Sequence, residues 1–126
     1  MKPEHQFLIE STDPGTAVAR LEPVGLLESH DVLALAQRSS EAAIHAVVRT
    51  IRGEIRTTPS ESRLTHLRVP SGAVSAAALL ECELTDDLAD DVRRNGTARA
   101  RVNVAVVDDA GETVALGSFE FFLARR

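Results

Sequence analysis

Six side chains able to do chemistry recur along one stretch of the chain: His30, Gln37, Arg38, Glu41, His45 and Arg49. At roughly 100° per residue they gather on a single polar stripe of a helix. Glu41 and His45 stand one turn apart, a spacing that suits an ion pair or two ligands of a metal. The ion pair is the commoner outcome on a helix surface. Ser40 falls on the apolar side. With no histidine–carboxylate partnership visible beside it, it reads as a small residue that lets the helix approach a sheet rather than as a nucleophile. The histidines His5, His30, His45 and His66 are dispersed, without a zinc spacing. There is no glycine-rich phosphate loop and no G-x-S-x-G elbow. Neither a metal nor a cofactor is implied.

The element that must hold this stripe is a long helix within Gly25–Val48. Ser29 is the expected cap and Asp31 suits the positive end of the helix dipole. Val32, Leu35, Ala36, Ala42, Ala43, Ala46 and Val47 form an apolar arc wider than a surface helix needs, so cover on most sides is expected. Gly53 stops the helix. Before it, Phe7–Glu22 reads as a hairpin around Asp13-Pro14-Gly15. After it, residues 54–63 read as a polar connector interrupted by Pro59, followed by a short strand at Leu64–Val69 and a turn at Pro70-Ser71-Gly72.

Ala73–Leu84 alternates, with Val74, Ala76, Ala78, Leu80, Cys82 and Leu84 on one face. Asp86–Arg94 reads as one or two solvated helical turns. Ala98–Val106 and Thr113–Leu123 form a closing pair around Asp108-Asp109-Ala110-Gly111. Arg99 and Arg101 face outward, where Glu81 and Glu83 can pair with them. The expected order is β-β-α-β-β-β-β, an α+β fold with an antiparallel sheet.

Composition narrows the function classes. The net charge is −5, with no Trp or Tyr, and no Lys/Arg cluster is present. This argues against nucleic acid as a partner. An internal disulfide is excluded by the single cysteine, Cys82, which reads as a small buried hydrophobe. No apolar run approaches the length needed to span a bilayer, and the start MKPEHQF lacks signal-peptide anatomy. The expectation is a single cytoplasmic domain over residues 1–126, with no membrane partner.

The order of motifs resembles a known family. A turn containing Gly25 leads into Ala34-Leu35-Ala36 of a long helix. A connector and a strand ending in RVPSGAV follow, then a long alternating strand and the closing pair ARVNVAVVDDAGETVALGSFEF. This is similar to the hotdog fold of the acyl-CoA thioesterase superfamily, in its PaaI-like and 4-hydroxybenzoyl-CoA thioesterase-like branches. The resemblance covers about residues 7–124 and is strongest at Pro70, Gly72, Val74, Asp108, Gly111, Val114 and Ala115. Those positions mark architecture rather than activity.

The resemblance implies an antiparallel sheet wrapped around one central helix. It also implies a homodimer or homotetramer in which sheets join edge to edge and the helix start faces the neighbour. The implied ligand is an acyl-CoA type thioester, hydrolysed by water that a carboxylate activates. Carried over residue by residue, the loop glycine matches Gly25 and the family's asparagine falls on Glu22. Its His-Gly-Gly falls on Glu28-Ser29-His30. Its helical carboxylate falls on Gln37, which has no basic lone pair useful at neutral pH.

Backbone N–H groups near His30 and Asp31 remain able to polarise a thioester carbonyl. The base would then be Glu41, one turn beyond Gln37, or the loop carboxylates Glu28 and Glu22. Ser40, Arg63 and Arg68 are the remaining ligand-binding candidates, the two arginines for coenzyme phosphates. Two rival readings stand beside hydrolysis. One is a degenerate protein that binds an acyl or apolar ligand without turnover, and the other is an oligomeric structural module.

Overall fold

Alternating apolar residues build most of the strands, and a computed structural model shows how they assemble. The structure describes residues 5–49, 51–81 and 85–126. Strands β1 (Gln6–Asp13) and β2 (Thr16–Glu22) form the expected hairpin, and helix α1 (Ser29–Val48) follows. Then come β3 (Ile55–His66), β4 (Val74–Leu80), helix α2 (Thr85–Asn95), β5 (Thr97–Asp108) and β6 (Thr113–Arg125). The six strands form one sheet in the order β1-β2-β4-β5-β6-β3, and every neighbouring pair is antiparallel. The sheet curls around α1, which is the hotdog arrangement.

Side-chain size sets how closely the helix lies on the sheet. Against β2 and β4, where α1 makes most of its contacts, the sheet presents Ala17, Ala19, Ala76 and Ala78, all buried. Ala36, Ser39, Ser40 and Ala43 answer them from the helix. Both serine hydroxyls donate to the Ala36 carbonyl, at 2.9 Å and 2.8 Å, so neither is buried without a partner. Over β6 the helix touches less, and Phe119, Phe121 and Leu123 fill that space. Close packing of this kind, rather than any one contact, holds the layers together.

Three elements differ from the sequence reading. Residues 54–63 are not a connector: they form most of β3, a 12-residue edge strand. Pro59 is tolerated because an edge strand has one unpaired side, and it sits beside the bulge between Pro59 and Glu61. The strand escapes a sequence search because nearly all its residues stay exposed on both faces, which erases the period-2 pattern. Second, α2 is longer than one or two turns and is not wholly solvated, since Leu88 and Val92 are buried, one turn apart. Third, α1 is capped by Glu28 rather than Ser29, with Ser29 inside the helix. The readings of Cys82, Glu83 and Leu84 fall outside the described residues.

Candidate active site

The start of α1 collects the polar groups that matter. A helix leaves its first N–H groups without intrahelical partners; here those of Glu28 and Asp31 are taken up within the cap, and Ser29 borders a cavity of about 530 Å³. Glu28, Ser29, His66 and Arg68 supply its polar wall; Leu26, Leu27, Val32, Leu67, Val69 and Pro70 supply the apolar one. Leu26 and Val69 are each 79% exposed, so the mouth of the cavity is an unusually bare apolar rim.

The loop before α1 is tied down locally. Asp31 accepts the Glu28 N–H at 2.8 Å, half of a capping box that satisfies a donor at the helix start. The Val24 N–H donates to Nδ1 of His5 at 2.8 Å. His5 Nε2 stands 3.3 Å from Asp31. The exposed His30 lies 3.2 Å from Glu28 and 3.4 Å from Asp31. Glu28 borders the cavity and its carboxylate also forms the other half of the capping box, so both carboxylates take part in the cap.

The structure separates the remaining candidates. Gln37 and Glu41 are half-buried on the same stripe, and the Gln37 amide donates to Glu41 over a long 3.5 Å. Glu41 therefore leans on Gln37, and no Glu41–His45 ion pair forms among the described residues. Gln37 and Glu41 stand eight and twelve residues beyond Ser29, about 12 and 18 Å along the axis. Neither shares the cavity at the start of their own helix.

The other candidates are scattered. Ser40 is fully buried with its hydroxyl turned back onto Ala36. Gly25 is exposed with φ +91° and nothing packed where a Cβ would stand, so it serves the turn. Glu22 ends β2 and pairs with Arg20 at 2.5 Å. Arg63 lies on the outer face of the sheet, 3.4 Å from Glu61. Arg68 lines the cavity and pairs with Glu112 at 3.0 Å. Glu28 and Arg68 are thus brought together, and Glu22, Ser40 and Arg63 are not.

The wall carrying Pro70 is set by two aspartates of the β5–β6 turn, Asp108, one of the positions at which the family resemblance is strongest, and Asp109. Asp108 accepts the N–H groups of Ser71 (3.0 Å), Ala110 (3.0 Å) and Glu112 (3.1 Å). Burial alone would raise its pKa, but these bonds, aided by the positive charge of Arg68, outweigh it and hold the carboxyl below its usual range. Asp109 accepts the Ala73 N–H at 3.0 Å. Gly72 lies between them with φ +78°, and a Cβ there would meet Asp109 Oδ2 at 2.6 Å. That close approach explains the pairing of Pro-x-Gly with Asp-Asp in the sequence.

On the outer face, Arg101 binds Glu120 and also lies 3.7 Å from Glu81. Of the expected pairings, that of Arg101 with Glu81 is present, with Glu120 the principal partner; Glu83 lies outside the described residues.

Comparison with solved structures places the fold. The Pseudomonas aeruginosa protein of unknown function PA5026 aligns with TM-score 0.77 and 19% identity, covering 95% of this chain and 83% of its own. A variant of the Staphylococcus aureus thioesterase SAV0944 aligns with TM-score 0.70 and 14% identity, covering 94% and 93%. A hypothetical thioesterase from Streptococcus pneumoniae, solved with coenzyme A, aligns with TM-score 0.72 and 13% identity, covering 96% and 91%. No family model matches the chain, and comparison with curated protein sequences finds no match. The chain therefore has the hotdog architecture of these thioesterase structures. Among the described residues, no helix is long and apolar enough to cross a membrane.

Proposed function

We propose that the protein binds an acyl thioester of the coenzyme A type at the start of α1 and hydrolyses it with water activated by a carboxylate. The observation that carries this reading is the convergence of a helix N-terminus, a carboxylate (Glu28) and a cation (Arg68) in one cavity with an apolar wall. The N–H groups of Ser29 and His30 in the first turn can stabilise the oxyanion that develops on the thioester carbonyl. Glu28, the carboxylate that borders the cavity, serves as general base. Arg68 attracts the anionic end of the ligand, and the His66 imidazole can donate a hydrogen bond to it. A like-folded protein solved with coenzyme A supports the choice of ligand.

Glu41 is the second candidate base, and it serves only across an interface. The long edge strand β3 has one unpaired side, and its partner in this reading is β3 of a second copy. Such a joint places one helix start opposite the half-buried Gln37–Glu41 pair of the other. An edge of 12 residues without a partner is otherwise a liability that proteins cover or blunt.

One alternative rests on a specific observation. Gln37 occupies the helical position where a carboxylate is wanted, and Glu41 is engaged by its amide. In that case the site binds a thioester without turning it over.

The test is a panel of acyl-CoA esters assayed with the wild type, Glu28→Gln, Glu41→Gln and Gln37→Asp, with binding followed by calorimetry. General-base loss lowers kcat by about 10²–10⁴-fold, so the base is the residue whose amide variant does so. Turnover appearing only in Gln37→Asp selects the binding protein. Absence of both turnover and binding in all four overturns the reading. Mass in solution, measured with β3 substitutions such as Thr58→Pro, tests the joint.

A further inference from the structure

A second concavity lies away from the start of α1. Strand β1 and the later half of α1 leave between them an open trough of about 440 Å³. Phe7 and Ile9 from β1 and Ala42 and Ala46 from α1 form its apolar bed. At 100° per residue, Ala42 and Ala46 stand on the opposite flank of the helix from Gln37. The bed is bare: Ile9 is 50% exposed.

Two arginines, Arg38 and Arg49, and the imidazole of His45 border the trough, against one carboxylate, Glu41, which leans on Gln37. Among the described residues no carboxylate stands within ion-pair distance of Arg38, His45 or Arg49, whereas Arg20, Arg63, Arg68 and Arg101 each hold one. Arg38 lies over the Phe7 ring, 5.1 Å from its centroid, and so closes one end. Arg49 stands 11 residues further on, about 16 Å along the axis, at the other end. In a chain of net charge −5 this is a local excess of positive charge over an apolar floor, two arginines against the one carboxylate of Glu41.

We propose that this trough binds a small anionic amphiphile, a carboxylate carrying an apolar chain or ring. The tail lies on Phe7, Ile9, Ala42 and Ala46, and the carboxylate meets Arg49 and His45. A ten-carbon chain fits the span between the two arginines. A second copy of the chain is a poorer occupant, because two-fold pairing through this face would bring two sets of unpaired cations into one dry interface. The proposal does not depend on hydrolysis at the start of α1, and its test reads binding rather than turnover.

The probe is 8-anilinonaphthalene-1-sulfonate, whose fluorescence is undisturbed in a chain without Trp or Tyr, with decanoate and decanol as competitors. Decanoate is expected to displace the probe at least tenfold better than decanol. Arg49→Gln weakens decanoate about tenfold, the size of one charge-assisted hydrogen bond. Ile9→Glu abolishes binding. Both sites are exposed, so urea midpoints stay at the wild-type value and loss of fold is excluded. Val69→Glu, which puts the same charge in the cavity at the start of α1, leaves decanoate affinity within twofold.

Four results overturn the proposal. One is wild-type affinity in both trough variants. A second is decanol competing as well as decanoate, and a third is Val69→Glu abolishing binding. The fourth is no binding of the probe or of decanoate; if Ile9→Glu then also lowers the oligomer mass, the trough is a contact between copies.

Discussion

Replacing Gly117 with alanine puts one methyl group where β3 and β6 touch. Gly117 pairs with Leu64 of β3 on one side and Val104 of β5 on the other. A Cβ there would stand 2.5 Å from the Arg63 carbonyl oxygen, 2.7 Å from Leu64 Cδ1 and 3.2 Å from Phe119 Cε2. The Leu64 side chain can turn away. The Arg63 carbonyl is backbone, and it moves only if β3 shifts outward by the better part of an ångström.

Two effects therefore compete. In a strand of ordinary backbone geometry, Gly→Ala stabilises by about 0.4–1 kcal/mol by restricting the unfolded chain. Overpacking against backbone costs about 1–3 kcal/mol. The clash wins, for a net loss of about 1–2 kcal/mol. A chain of this length unfolds with an entropy near 0.26 kcal/mol/K, so Tm falls by about 4–8 °C. Thermal and urea melts followed by far-UV circular dichroism measure this, and amide exchange shows whether protection falls first along β3. A Tm equal to or above that of the wild type, with β3 amides unchanged, would refute the reasoning, since it would mean that β3 does not press on Gly117.

Acid should act through Asp108. Its carboxyl is held below its usual range in the folded state, so the stability it contributes is present above the unfolded value, near 3.8, and is lost as pH falls through the depressed folded value. Asp108→Asn should lower the urea midpoint at pH 7, and the gap from the wild type should narrow as the pH is taken below 3.8; a gap independent of pH counts against the carboxylate as the cause. Phe121 is fully buried on β6, so Phe121→Ala should cost about 3–5 kcal/mol, a large part of the roughly 5–15 kcal/mol available to a domain. Equilibrium urea unfolding decides it, and a loss under 1 kcal/mol would mean the site collapses around the cavity.

The parts of the fold legible in the sequence are those where one residue's environment repeats at a fixed period. Val74, Ala76, Ala78 and Leu80 alternate inward, as do Ala100, Val102, Val104 and Val106, because one face of the sheet is covered and the other is not. The helix announces itself through its apolar arc. Strand β3 was hidden for the converse reason: with both faces exposed, its residues carry no alternation, and Pro59 argues locally for a loop. Leu88 and Val92 were masked by the charges around them in α2, although their spacing of four was a usable signal.

The candidate site divides along the same line. That residue 37 is a glutamine, that glutamates stand at 22, 28 and 41, and that Pro70-Ser71-Gly72 goes with Asp108-Asp109 are facts of the sequence alone, because they concern residue type and order. Which of those carboxylates meets the helix N-terminus is a matter of distance between elements. Axial rise moves Glu41 about 18 Å from the start of its own helix, Arg20 takes up Glu22, and the curl of the sheet brings Arg68 and His66 to Glu28. No local pattern encodes that meeting. It follows from the packing of alanines on β2 and β4 under α1, which sets where the helix start points relative to the end of β3.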